Sequence, residues 1–116
     1  MLIDFKRKLT TLAGVECNEN GEPLTVGVVV CNVISVMPTD AAVAPGERKK
    51  RFLLSVKVYQ AEAPIELDEA DIDLVKRLVN ASAIPPLYTE QVCLALEGKP
   101  NPLARDEPQL KLVGKE

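Results

Sequence analysis

The residue pattern predicts an α+β fold, a small antiparallel sheet or hairpin packed on about four helices. Three observations carry that expectation. Asn20-Gly21 lies between two short arms that carry apolar residues. This dipeptide suits a type I′ hairpin turn, whose two central positions both need φ > 0. Several longer segments repeat apolar residues at three- and four-residue spacing, as helix faces do. Residues that begin and end helices stand at their edges, Thr25 and Asp68 at starts and Gly98 at a stop.

The strand material is short. Leu2–Phe5 alternates, with Ile3 and Phe5 on one side and Leu2 on the other. Val15 and Cys17 lie on one hairpin arm and Leu24 on the other. Residues 2–5, 15–18, 22–25 and the PIEL segment 64–67 are the expected sheet.

The run TVGVVVCNVISVM is apolar nearly all round. Its β-branched content fits a strand. Its length, the Thr25 N-cap and the spacing of Val26, Val29, Val30, Val33, Ile34 and Met37 fit a helix. Helix is the preferred reading, with Gly27 as a close-packing position and Pro38 as the stop. This hydrophobicity exceeds what one amphipathic face needs, so part of it is expected to be covered by a second copy of the chain. Residues 38–46 read as a loop. Residues 47–60 read either as a helix burying Phe52, Val56 and Tyr59 with Leu53 beside them, or as a strand with Phe52, Leu54, Val56 and Val58 inward.

The segment DEADIDLVKRLVNAS is the clearest helix. Asp68 caps it, Glu69 and Asp71 complement its positive end, and Ile72, Val75, Leu78 and Val79 form its buried stripe. Pro86 opens a last helix that runs to Gly98. Its apolar face begins at Leu87 and Tyr88 and continues through Val92, Cys93 and Leu96. Residues 1–98 form the expected single domain, and residues 99–116 an extended or disordered tail. Within that tail, Leu110, Leu112 and Val113 form an apolar island that is a candidate docking segment.

Composition bounds the function. With 116 residues the chain makes one domain. Net charge is −3 and aromatics are scarce, which argues against a domain-wide nucleic-acid footprint. Histidine is absent, which removes histidine-assisted nucleophiles and every histidine-containing zinc site. Cys17, Cys31 and Cys93 form no C-x-x-C pair and suit a reducing cytosol as structural thiols. The acidic group Asp68, Glu69, Asp71 and Asp73 lacks the central Gly and terminal Glu of a calcium loop and reads as helix capping. No phosphate-binding or dinucleotide glycine pattern occurs. No catalytic residue, cofactor or metal is therefore expected, and the chain is read as a non-enzyme; a metal-assisted enzyme is the weakest alternative. The chain has no apolar leader after Met1, and Val26–Met37 is well short of the about 20 residues a bilayer needs. A cytoplasmic protein without a membrane partner is expected.

One motif remains, GERKKRFLL. Arg48, Lys49, Lys50 and Arg51 can contact phosphates. In a helix, however, four consecutive residues spread around the axis, so the run reads as the solvated entry to a buried element.

Taken in order, GEPLTVG…NVI, GERKKRFLLSVKVYQ and PIELDEADIDLVKRLVNASAIPPLYTEQVCLALEG resemble a group of small proteins of tailed bacteriophages and prophages. The resemblance covers residues 2–98. It rests on a Thr-Leu-Gly-like start to a central apolar helix, with Val26 in place of Leu, and on a Lys/Arg-rich start to a second helix. A Leu-x-x-x-Asp-Ile helix and a final helix follow, with Pro85-Pro86 in place of a single Pro. It implies helices over residues 25–37 and 47–60 and supplies no catalytic residue. The expected function is then a non-enzymatic protein-interaction module acting in the bacterial host's cytoplasm, in virion assembly or interference with a host factor. A protein partner, phage or host, is expected, with self-association open. A small nucleic-acid-associated regulator using Arg48–Arg51 is the alternative.

Overall fold

In the computed structural model, which describes residues 1–36 and 43–103, Asn20 and Gly21 both take positive φ, 55° and 81°. They turn β2 (Asn18–Glu19) back onto β3 (Glu22–Pro23), pairing Asn18 with Pro23 and Glu19 with Glu22. Backbone bonds continue this ladder inward. The Leu24 amide donates to Cys17 at 2.9 Å, that of Cys17 to Leu9 at 2.9 Å, and that of Leu9 to Leu24 at 2.9 Å. β1 (Leu2–Ile3) pairs antiparallel with the distant β4 (Ile65–Glu66), so the strands form two separate two-stranded sheets. As alternation predicted, Ile3 and Phe5 are buried while Leu2 faces water.

The apolar run is helical. Thr25 caps α1 (Val26–Cys31) by accepting from the Val28 amide at 3.2 Å. The first helical N–H groups, which have no partner within a helix, are taken by the N-terminal segment. Val26 donates to the Arg7 carbonyl and Gly27 to the Phe5 carbonyl, each at 2.8 Å. Gly27 eases this approach, because a Cβ would sit a tight 3.0 Å from the Phe5 oxygen and 3.3 Å from the Phe5 Cβ. Past Cys31 the helix widens into a π turn over Asn32–Val36. Met37 and the expected loop up to residue 42 lie outside the described residues. Val26, Val29, Val30, Val33 and Ile34 are buried within one copy of the chain. These residues need no second copy of the chain to cover them. Among its described residues, Val36 is the large apolar side chain left in water.

Helix α2 (Pro45–Tyr59) starts two residues before the expected point, since Pro45 can open a helix with no donor to lose. Its rotation differs from expectation. Leu54, Ser55 and Val58 are buried, whereas Phe52, Leu53 and Tyr59 are exposed. Apolar residues occupy both faces, so spacing alone could not choose. The inward face is the one whose polar members are satisfied. Ser55 Oγ bonds the Arg51 carbonyl at 3.0 Å and Ser35 Oγ at 2.5 Å.

Helices α3 (Glu69–Ala81) and α4 (Pro86–Leu96) complete the packing. Asp68 accepts from the Asp71 amide at 2.8 Å as α3's cap. Ile72, Leu74, Val75 and Val79 are buried on α3, with Leu78 packed beside them. After α4, Gly98 takes φ 72° and lets the chain turn away. α1 contacts α2 and α4, while α3 contacts α4 and the π turn, so the apolar run sits at the centre.

Residues 99–103, expected as the start of the tail, are held on the domain. Asn101 is buried and donates to Gln91 Oε1 at 2.8 Å, and Arg7 Nη1 donates to the Lys99 carbonyl at 2.6 Å. Gln91 also accepts from the Thr10 amide at 2.9 Å and donates to the carbonyls of Thr10 and Leu87 at 2.9 and 2.8 Å. This buried amide uses its full hydrogen-bonding capacity. Nothing in the sequence marked it. Residues 104–116 lie outside the described residues.

Val30 is fully buried at the centre of this packing. Val30→Asp places an uncompensated carboxylate there, which costs several kcal/mol against a typical stability of about 5–15 kcal/mol. The variant is expected not to fold. Circular dichroism showing a soluble Val30→Asp protein that melts cooperatively would contradict the placement of α1.

Candidate protein-interaction surface

The four basic residues on α2 divide between faces. Lys50 turns towards α3, with Nζ 3.6 Å from Asp71. Arg51 is largely covered and pairs with Glu47 one turn earlier, a carboxylate that also meets Arg77 of α3 at 4.0 Å. Arg48 and Lys49 point to solvent. The expected solvated entry thus holds for Arg48, Lys49 and Lys50, but not for Arg51, whose guanidinium packs on its own helix. The structure brings no single basic face together from this run. Leu110, Leu112 and Val113 lie outside the described residues.

The outward face of α2 is apolar beyond its first turns. Phe52 is 59% exposed and Tyr59 74%, with Leu53 at 53% and Val36 of the π turn at 69%. Phe52, Val56, Tyr59 and Val36 rim a shallow hollow of about 440 Å³, floored by Cys31, Ser35 and Ser55. The floor is already satisfied. The two serine hydroxyls bond each other, and Cys31 Sγ donates to the Ser55 carbonyl at 3.5 Å. The hollow therefore presents mainly carbon, together with the side chain of Gln60. Sequence reading placed these side chains in the core. The clue to their true position was the i, i+4 pair Glu47–Arg51 together with Ser55, which marks the 51/54/55/58 face as the satisfied one.

The other candidate chemistry is structural. Among the described residues, no group of three or more Cys, Asp and Glu side chains is placed to hold a metal ion. Asp68 spends its carboxylate on the Asp71 amide, and Asp71 meets Lys50. The thiols are free. Burial pushes the Cys31 thiol up to about 11, and burial followed by the Glu90 charge raises that of Cys93. Both shifts disfavour the thiolate, the reactive form. No family model, curated protein or solved structure matches this chain.

Two outcomes follow from this arrangement. Leu54→Ala should cost about 2–4 kcal/mol, whereas Phe52→Ser should stay within about 1 kcal/mol, in urea melts at low protein concentration. The reverse order would mean that α2 is rotated from the position described. Cys31 is raised from an ordinary 9.0 to about 11, so the unfolded chain releases this proton first as pH rises. Its contribution to stability is complete below pH 9.0 and declines between there and about 11. At pH 8, peptide-resolved alkylation should label Cys31 about a hundredfold more slowly in the native than in the denatured protein. Equal rates would contradict its burial.

Proposed function

We propose that this chain is a non-enzymatic protein-interaction module whose working surface is the outward face of α2. One observation carries the reading. Phe52, Val56, Tyr59 and Val36 line one shallow apolar hollow, with Leu53 exposed on the neighbouring face of the helix, on a protein that has only four aromatic residues. Single exposed apolar side chains are ordinary, but contiguous patches of this kind mark contact sites. The resemblance to small proteins of tailed phages supplies the setting, virion assembly or interference with a host factor in the bacterial cytoplasm. No helix among the described residues is long and apolar enough to cross a membrane.

The regulator reading draws on Arg48, Lys49, Lys50 and Arg51. Against it stand the net charge of −3 and the engagement of Lys50 and Arg51 with acidic neighbours. Two measurements decide the matter. A photo-crosslinking amino acid in place of Tyr59 should give a covalent adduct with a protein in cells, while the same group at the exposed Asp73 on α3 should give none. Absence of any adduct from position 59 would sink the interaction reading. In gel shifts at two salt concentrations, the wild type should not retain DNA or RNA. Salt-sensitive retention that is lost in the Arg48→Gln, Lys49→Gln, Lys50→Gln triple variant would instead favour the regulator.

A further inference from the structure

We propose that the groove between the β2–β3 hairpin and the end of α2 seats the basic, apolar segment Leu110–Lys115 of the same chain. The groove holds about 940 Å³, a volume in the range of ligand sites. It is separate from the hollow on the outward face of α2, and Tyr59 is the one residue that lines both. Its floor is apolar, made by the buried Phe5, Val58 and Ala61 with half-buried Val28 beside them. Its rim is charged.

The hairpin supplies the sign of the ligand. Glu19 and Glu22 are direct cross-strand partners, and both line the groove. Like charges set opposite each other on one ribbon destabilise it. Among the described residues neither carboxylate has an ion-pair partner. The two cations that line the groove are engaged elsewhere, Lys6 with Glu62 at 3.9 Å and Lys8 with Glu16 at 3.3 Å. Once those pairs cancel, Glu19 and Glu22 remain as the excess charge above an apolar floor. A local conflict without a compensating partner marks a place where binding overrides stability. The ligand that relieves it carries cations on one side and apolar groups on the other.

The chain contains such a ligand beyond the described residues. In the sequence Leu110-Lys111-Leu112-Val113-Gly114-Lys115, extended alternation puts Leu110 and Leu112 on one side and Lys111 and Lys115 on the other. Leucines can then meet the floor while lysines meet the hairpin carboxylates. The described chain also ends close by. Arg7, between the groove residues Lys6 and Lys8, donates to the Lys99 carbonyl at 2.6 Å. Gln91 joins Asn101 to Thr10, two residues past Lys8. Seven residues separate Leu103 from Leu110. They reach up to about 23 Å, more than the roughly 10 Å across a packed strand layer. A tether this short holds the segment at an effective concentration on the order of millimolar, so weak contacts suffice.

A photo-crosslinking amino acid in place of Leu112, in the purified full chain at low micromolar concentration, tests this. Peptide mapping should place the adducts within one chain, on residues 19–28 or 58–62. Glu19→Lys together with Glu22→Lys should cut that yield several-fold while circular dichroism stays unchanged. Adding Lys111→Glu and Lys115→Glu to that variant should bring the yield back to within about twofold. That reciprocal rescue is the signature of direct charge pairing between the hairpin and the segment. Adducts that map mainly elsewhere overturn the inference, and so do adducts that join two chains. A yield indifferent to Glu19→Lys and Glu22→Lys, or a loss that the reversed lysines do not repair, overturns it as well. None of these results touches the interaction reading of α2, which the adduct from position 59 tests separately.

Discussion

The contact that the rest of the structure depends on is the docking of α1's first turn onto the N-terminal segment. Gly27 donates to the Phe5 carbonyl and Val26 to that of Arg7, and the absent side chain of Gly27 lets Phe5 come close. Val58 of α2 packs on the same spot, its Cγ1 3.6 Å from where a Cβ on residue 27 would be. With Val58 inward, residues 54 and 55 follow it into the core at helical spacing. Phe52 and Tyr59 are carried to the other side. The exposure of Phe52 and Tyr59 thus goes with the inward placement of Val58 against the first turn of α1.

Local chemistry was legible wherever one or two residues decide a conformation. Asn20-Gly21 turned the hairpin, Thr25 and Asp68 capped their helices, and Gly98 ended α4 as its chemistry requires. These are short-range rules, and they need no knowledge of what packs nearby. The rotation of α2 is a different kind of fact. Phe52, Leu53 and Leu54 are consecutive, so every face of the helix contains a large apolar residue. The face that turns inward meets Gly27 and Ser35, partners distant in sequence. Gln91 was hidden for a related reason. A polar residue on α4 looks solvated until Thr10 and Asn101 arrive from both ends of the chain to bond it. In the strands, pairing of β1 with β4 was only weakly legible, since two-residue strands carry almost no pattern.

The basic run shows how the same geometry sorts charge. Helical placement sends Lys50 and Arg51 towards α3 and Glu47, where their charges join neighbours within the fold. Arg48 and Lys49 stay on the face that carries Phe52 and Tyr59. A cluster that is continuous in sequence is therefore divided in space into a structural half and a surface half. Nucleic-acid binding needs the opposite, cations gathered on one side with aromatics that stack on bases. Here the nearest exposed aromatics share a shallow apolar hollow, a shape suited to side chains rather than to a phosphate backbone.

The aromatic inventory sharpens that distinction. The core is aliphatic: Ile3, Leu9, Leu67, Leu96 and a set of valines fill it, and Phe5 alone among the four aromatics is fully enclosed. A protein short of large apolar side chains would gain stability by turning Phe52 and Tyr59 inward, since each buried aromatic contributes a few kcal/mol. The chain instead buries Ser55 and largely covers Arg51, and hydrogen bonds satisfy both. In a sequence whose caps and turns otherwise agree with its fold, such a local exchange of apolar for polar is where function is expected to override packing. The apolar face of α2 is left in water while its polar neighbours are covered, and the hydrogen bonds of Ser55 and Arg51 offset part of that cost.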